Sequence, residues 1–380
     1  MEDNHSDMSR REFLATLYAA AVAAGIPVSA FAATSSTDFR KIYDEMLVID
    51  GCAPMLSWGI DTKGNVTDPS GKAFDYYIKG GVTAAAAGVS TARLDMETVR
   101  KGIAFFDNII EKRGFIKIRK AADVVRAKRE NKFGLWYHMQ SSYCIEENLD
   151  ELEKLHEAGV GLLQPTYNYR NRFANGQLER VDGGLSKAGI DLVKKCNELK
   201  IIVDGSHQGA RDVMDMIEFS SSPVIISHAN TKAVYDHPRN ISDEVIKAIA
   251  DNGGFVGVNG WPPFVSDAQR PTFDQFFAHI DHIVQLVGPD HAAIGMDYFQ
   301  LIQGVVPDDE VKKVYDQFID SGAWTVVEYG KPPYVYPTGL ETPATMFNMV
   351  GGFLKHGYKV ADIQKIMGGN WLRIMKEVWG

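Results

Sequence analysis

Short apolar runs alternate along this chain with longer stretches in which apolar residues recur every three or four positions. The runs are Leu47–Asp50, Val82–Val89, Phe133–Gln140, Val160–Thr166, Ile201–Ser206, Val224–Ser227, Phe255–Asn259 and Ala292–Asp297. They are nearly continuous in apolar character, as strands buried on both faces must be. Helical periodicity falls between them, over Asp150–Ala158, Lys187–Leu199, Ala210–Phe219, Ser242–Asn252 and Phe273–Val287. Eight strands alternating with helices predict parallel βαβ units closed into a (β/α)8 TIM-type barrel. An open doubly wound sheet is the alternative, but no Gly-x-Gly-x-x-Gly follows any strand to support its dinucleotide-binding form. Beyond the last strand, residues 300–340 form a long excursion rich in Pro, Gly and Tyr, the kind of loop that shapes a pocket. The tail from Thr342 to Trp379 reads as two helices, the first capped by Thr342 with Pro343 at its first position.

The N-terminus breaks this pattern. Ser9-Arg10-Arg11-Glu12-Phe13-Leu14 is a twin-arginine motif, followed by an Ala-rich apolar run and the small-x-small site Ala30-Phe31-Ala32. Residues 1–32 are therefore expected to be an export signal, and residues 33–380 a single barrel domain in the periplasm. An uncleaved anchor or a frayed amphipathic helix is the alternative. No later run reaches the roughly 20 apolar residues of a membrane span. Net charge is −9, and −7 without the first 32 residues. That mildly acidic balance, with no basic cluster, argues against nucleic acid or an anionic membrane as partner. The three cysteines, Cys52, Cys144 and Cys196, leave at least one thiol free unless pairing is intermolecular. Cys196 falls on a helix. Cys52 and Cys144 both follow strands, so a disulfide between them is open.

Barrel chemistry gathers where strands end. Those ends carry Asp50-Gly51-Cys52, Gly88-Val89-Ser90, His138-Met139-Gln140, Thr166-Tyr167-Asn168, Ser206-His207, Ser227-His228, Asn259-Gly260-Trp261 and Met296-Asp297-Tyr298. His207 and His228 stand one βα unit apart, as two metal ligands of one mouth would. Asp297 suits a proton-transfer or amine-binding role, since a carboxylate buried there is costly without a task or partner. Arg239 suits a bidentate clamp on a carboxylate. Asn259 and Tyr298 are further candidates for substrate contact. The bland readings remain beside these: core histidines, a helix cap at Asp297 and a surface ion pair at Arg239.

Several motifs together resemble the membrane (renal) dipeptidases, peptidase family M19. They are Gly205-Ser206-His207, Ser227-His228-Ala229-Asn230, His237-Pro238-Arg239-Asn240-Ile241-Ser242-Asp243 and Gly295-Met296-Asp297, with Gly159–Asn168, Phe173-Ala174-Asn175-Gly176 and Gly368-Gly369-Asn370-Trp371-Leu372-Arg373. The resemblance runs from about Leu47 to Val378. It implies a metal-dependent-hydrolase barrel, usually with two zinc ions, that cleaves dipeptides or related amides. It implies that His207 and His228 ligate the second metal, that Arg239 binds the substrate carboxylate and that Asp297 handles the proton or the amine. A homodimer is compatible with it.

The resemblance also marks departures. Where the family has Asp-Gly-His-Asn-Asp, this chain has Asp50-Gly51-Cys52-Ala53-Pro54. The metal-bridging glutamate falls at Gln140, and the histidine that steadies the tetrahedral intermediate falls at Tyr167. Proline ligates nothing through its side chain, and glutamine carries no charge to hold two cations together. The two-zinc centre is therefore expected not to form. One zinc at His207 and His228, with Gln140, Cys52 or Asp297 as third ligand, is the leading expectation; a metal-free site stays open. Tyr167 is a candidate oxyanion donor. Cys52 is a candidate ligand, nucleophile or disulfide partner. Three activities follow: a dipeptidase-like hydrolase with a single-metal site, a repurposed periplasmic enzyme acting on a peptide-derived metabolite, and a non-catalytic binder of small peptides.

Overall fold

The computed structural model describes residues 36–54, 61, 63–299 and 308–380. The twin-arginine segment lies outside them. Among the described residues there are eight strands: β1 (Ile49–Ala53), β2 (Ala84–Ser90), β3 (Ile116–Lys117), β4 (Gly134–Met139), β5 (Val160–Leu163), β6 (Ile202–Val203), β7 (Val256–Val258) and β8 (Ala292–Ile294). These strands pair in parallel, in the orders β1-β2-β4-β5-β6 and β7-β8, with β3 beside β4. Residues 225 and 226 join the two sheets by single bridges, Asp204 with Ile225 and Ile226 with Val256. Between β8 and β1, Met296 N–H donates to Asp50 Oδ1 (2.8 Å) and Asp297 N–H to the Cys52 carbonyl (3.1 Å). The outcome is an α/β fold with a curled parallel sheet, the TIM-type architecture that the alternation of runs predicts.

Two strand expectations differ from the structure. Val224–Ser227 forms bridges but no named strand. Ile225 and Ile226 bond the backbone of the neighbouring strands, but then the chain turns to side chains: Ser227 N–H donates to Asp204 Oδ1 (2.9 Å) and His228 N–H to Ser206 Oγ (3.0 Å). β3 is an additional short strand, lying on the side of β4 that β5 occupies further along, with Ile116 N–H bonded to the Phe133 carbonyl. The five expected helices appear within one residue of their predicted ends. Local chemistry explains their starts: Ser186, Ser242 and Thr272 each accept a backbone N–H of the first turn. The tail is three helices rather than two, Asn348–Lys355, Val360–Gln364 and Asn370–Val378. The break lies at Gly368, where a Cβ would meet the Leu47 carbonyl oxygen at 2.5 Å. Thr342 and Pro343 begin a 3₁₀ turn, Pro343–Thr345, instead of a helix.

Alternate residues of the strands face inward. Ile49, Ala84, Ala86, Trp136, Leu162, Ile202, Ile225, Phe255 and Ala293 form an inner apolar layer plugged by Trp371 of the last helix. The Trp371 indole N–H donates to the Ile294 carbonyl (3.1 Å) and its ring packs on Phe255 (4.8 Å). This packing fills the end of the barrel where the strands begin and leaves chemistry to the other end. Glycines admit one close crossing there: a Cβ on Gly257 or Gly295 would come within 2.1 or 1.9 Å of the Ser227 carbonyl oxygen. Among the described residues, no helix is long and apolar enough to cross a membrane.

Asp50 is a closure point, because its buried carboxylate serves the backbone of both β1 and the chain after β8. Asp50→Ala leaves the Met296 and Cys52 N–H groups buried without acceptors, and denaturant unfolding should show a loss of about 2–4 kcal/mol. A loss under about 0.5 kcal/mol would show that the closure does not depend on this carboxylate. Asp212, buried, accepts from Asn175 N (2.7 Å), and its burial pushes its carboxyl up to about 7. The unfolded chain releases that proton near pH 4, the folded chain only near 7, so stability falls as pH rises between them and levels off above. Urea titrations at pH 4 to 8 should show this fall reduced in Asp212→Asn; parallel curves for the two proteins would refute it.

Candidate metal centre and active site

His207 and His228 face one another at the open end of the barrel, Nε2 to Nε2, at 3.0 Å. Each ring is held from behind. His207 Nδ1 lies 2.8 Å from Asn168 Oδ1, and the Asn168 amide is oriented by Nδ2 donating to the Ala323 carbonyl (2.8 Å). Oδ1 is thus the acceptor, and His207 carries its proton on Nδ1. His228 Nδ1 lies 2.7 Å from Ser227 Oγ, which donates its own proton to Asp204 Oδ2. His228 therefore also carries its proton on Nδ1. Burial first, and then the nearby Arg239 cation, hold both imidazoles neutral, with pKa far below the ordinary histidine range. Two bare Nε2 lone pairs thus point at each other. That pattern, with the outer nitrogen of each ring hydrogen-bonded, is the one metal-ligating histidines show.

Asp297 stands opposite. Burial raises its carboxyl to about 7; Oδ2 accepts from Asn259 Nδ2 (3.2 Å) and Oδ1 from the Cys52 thiol (3.4 Å). Asn259 is itself held, since its N–H donates to Asn230 Oδ1 (2.9 Å) and its Oδ1 accepts Trp261 N–H (2.6 Å). His207 (φ 67°) and Asp297 (φ 57°) both adopt left-handed backbone, which non-glycine residues enter at a cost of about 1–3 kcal/mol. Such strain clusters at functional positions, and here it turns both side chains across the mouth.

Cys52 is a free thiol, buried, and so are the other two cysteines free, which corrects the Cys52–Cys144 disulfide left open above. Cys52 Sγ is engaged with Asp297 and with Gln140 Nε2 (3.2 Å), while Cys144 sits on the turn Tyr143–Ile145 after β4. Burial and the neighbouring Asp297 push the thiol pKa well up, so it is a weak nucleophile without a cation to stabilise its anion. Cys52, His228 and Asp297 each offer a donor atom within 4.8 Å of the others. Sulfur, imidazole nitrogen and carboxylate oxygen together suit a borderline-soft divalent ion such as zinc. Gln140 spends its amide on Cys52, and its Oε1 accepts from Thr91 (3.4 Å). Pro54 lines the cavity with no ligand to offer.

Arg239 is almost fully buried, with Nη1 donating to Gln177 Oε1 while Nε and Nη2 have no partner. Gln177 N–H in turn donates to the His207 carbonyl (2.6 Å), so the guanidinium is fixed beside the histidines. Tyr167 stacks on the His207 ring (4.1 Å), and its hydroxyl accepts from Trp324 Nε1 (3.0 Å). Tyr298 lies apart: its hydroxyl donates to the Leu340 carbonyl (2.9 Å) and its ring packs on Tyr336.

The inner cavity at this mouth is only about 20 Å³, covered by Trp261, Phe318, Trp324 and Tyr329 among others. A larger hollow of about 820 Å³ adjoins it and shares Thr91, Tyr167 and Phe318 with it. Phe318, Trp324 and Tyr329 come from the described part, 308–340, of the excursion whose composition predicts a pocket-shaping loop. Sequence reading assigned no task to Asn168, Asp204, Ser227 or Gln177. Asp204 carried a usable signal, a carboxylate inside the apolar run Ile201–Ser206. Trp261, whose buried Nε1 has no partner, stood at a strand end but was given no role.

Comparisons with known proteins bear on the family and the fold. An uncharacterized protein of the pqqA 5′ region in Klebsiella pneumoniae is 28% identical over 68% of this chain and 87% of its own length. Dipeptidase tcpJ of Claviceps purpurea is 26% identical over 68% of this chain, which spans about half (54%) of that protein. Among solved structures, an amidohydrolase from Pseudomonas aeruginosa is 31% identical, with a TM-score of 0.79 over 90% of this chain and 99% of that one. A metallo peptidase from Rhodobacter sphaeroides, liganded with a phosphinate mimic of the dipeptide L-Ala-D-Ala, shares the fold at 19% identity, with a TM-score of 0.68 over 88% of this chain and 99% of that one. The sequence profile of the membrane dipeptidases, peptidase family M19, matches residues 38–325, and the chain belongs to that family of metallo-dipeptidases.

Proposed function

We propose that this protein is a hydrolase of dipeptide-like amides that works with one metal ion rather than two, and that its twin-arginine segment exports it to the periplasm. The observation that carries the metal reading is the pair of neutral imidazoles with bare Nε2 atoms 3.0 Å apart. Lone pairs repel at that distance unless a proton or a metal cation lies between them, and the outer hydrogen bonds of both rings assign their protons to Nδ1. Two zinc–nitrogen bonds of about 2.0–2.1 Å at the tetrahedral angle would set the nitrogens about 3.3 Å apart, close to what is seen. A second ion has no comparable support, because neither Gln140 nor Pro54 offers charge to offset it in a buried mouth.

Bound there, a divalent ion supplies a water of lowered pKa and polarises the carbonyl to be cleaved. The chain's own residues provide the remainder. Arg239, with two unpartnered donors, binds the substrate carboxylate. Asp297, the carboxylate among the described residues lining the cavity, takes up the proton of the attacking water, and Asn259 holds it in position. Tyr167 and Trp261, which line the cavity, donate to the developing oxyanion through the hydroxyl and the indole N–H. The phosphinate dipeptide mimic held by the Rhodobacter sphaeroides peptidase supports a ligand of this size. The inner cavity of about 20 Å³ is smaller than a dipeptide, so the aromatic cover shifts as substrate enters from the adjoining hollow.

Elemental analysis of the full chain should find one zinc per polypeptide, with dipeptide hydrolysis abolished by chelator and restored by zinc. Two ions per chain would overturn the single-metal reading, and dipeptide binding without turnover at full metal loading would favour a binder instead. Amidating the C-terminus of a cleaved dipeptide removes the anion Arg239 needs. That change should lower kcat/KM by on the order of 10²-fold or more, mainly through KM, because two buried donors then go unpaired. Equal cleavage of acid and amide would refute the role of Arg239.

A further inference from the structure

The least expected residue at the mouth is Cys52, and its surroundings are those of a ligand. Cys52 Sγ lies 3.4 Å from Asp297 Oδ1. Bonds of about 2.3 Å to sulfur and about 2.1 Å to oxygen, at the tetrahedral angle, would separate those two atoms by about 3.6 Å. Each of the pairs Cys52–Asp297 and His207–His228 thus has the separation of an edge of a coordination tetrahedron. His228 links them, since a donor atom of its ring lies within 4.8 Å of both Cys52 and Asp297.

Resting on the single-metal hydrolase reading, we propose that Cys52 ligates the ion as a thiolate, together with His228 and Asp297. His207 Nε2, 3.0 Å from His228 Nε2 and on the cavity side, would move in as the further protein ligand, and the attacking water would enter as a fifth. Cys52 gives its thiol proton to solvent as the sulfur–metal bond forms, and no other bond changes. Asp297 contributes Oδ1, on the side of Cys52, which leaves Oδ2, bonded to Asn259, to take up a proton.

Charge and hydrogen bonding explain the neighbouring residues. One thiolate and one carboxylate match a divalent cation, so a further carboxylate at position 140 or 54 would leave a buried surplus of negative charge. Gln140 instead directs an N–H at the sulfur (3.2 Å), a donor that favours the thiolate over the thiol. A sulfur ligand also selects among metals. It suits zinc and cobalt and disfavours the hard ions magnesium and calcium. The competing account is that Cys52 is a small buried thiol satisfied by Gln140 and Asp297.

Cobalt titration of the metal-stripped full chain separates the two accounts. The expected result is one equivalent of Co(II) bound with an intense near-ultraviolet sulfur-to-cobalt charge-transfer band. The band disappears in Cys52→Ser and persists in Cys144→Ser. X-ray absorption on the zinc-loaded wild type, which requires no variant, should show one sulfur scatterer at about 2.3 Å. One bound ion with only nitrogen and oxygen scatterers would overturn the thiolate ligand and leave the hydrolase reading standing. Failure to bind any ion would overturn both.

Discussion

A single buried carboxylate holds the mouth of this barrel in shape. Asp204 accepts from Ser206 N and Oγ, from Ser227 N and Oγ, and from Gln164 Nε2. Burial raises its pKa and these hydrogen bonds pull it back, the compensation a carboxylate needs to exist in an apolar interior. Through them β5, β6 and residues 225–228 are pinned by a side chain where ladder bonds thin out. The consequence reaches the chemistry directly, because Ser227 is the atom bridge between Asp204 and the outer nitrogen of His228. What looks like a gap in the sheet is thus the device that orients a ligand.

The rest of the site follows from what surrounds that point. Left-handed backbone at His207 and Asp297 turns the two side chains across the mouth, and Asn168 and Asn259 hold each where strain put it. Aromatic residues from the stretch after β8 cover the result, with Trp324 bonded to the Tyr167 hydroxyl that stacks on His207. Water is kept from the pair, so the electrostatic contrast among neutral imidazoles, Arg239 and Asp297 is sharper than it would be in solvent. Polar groups on Arg239 and Trp261 are left buried without partners beside this cover.

Much of this was legible in the residues. Helix positions followed from apolar spacing and from caps such as Ser242 and Thr272, because both are properties of a few consecutive residues. The run at 224–227 pairs over only Ile225 and Ile226, because Ser227 and His228 give their N–H groups to the side chains of Asp204 and Ser206, some twenty residues away. The Cys52–Cys144 pairing was left open because two thiols after strands satisfy any local rule. Only the fold shows Cys52 turned to Gln140 and Asp297.

The sequence by itself determined the class of barrel, the family, the two strand-end histidines with Arg239 and Asp297 as candidates, and the absence of carboxylates at Gln140 and Pro54. Each of these is carried by residue type and short spacing, which survive without coordinates. Tertiary structure alone decided which protons the imidazoles carry, which residues roof the mouth, and that Cys52 meets a carboxylate 245 positions along the chain. Those facts are distances between residues far apart in sequence. No local pattern encodes them, because they are set by how the sheet curls and where β8 returns to β1.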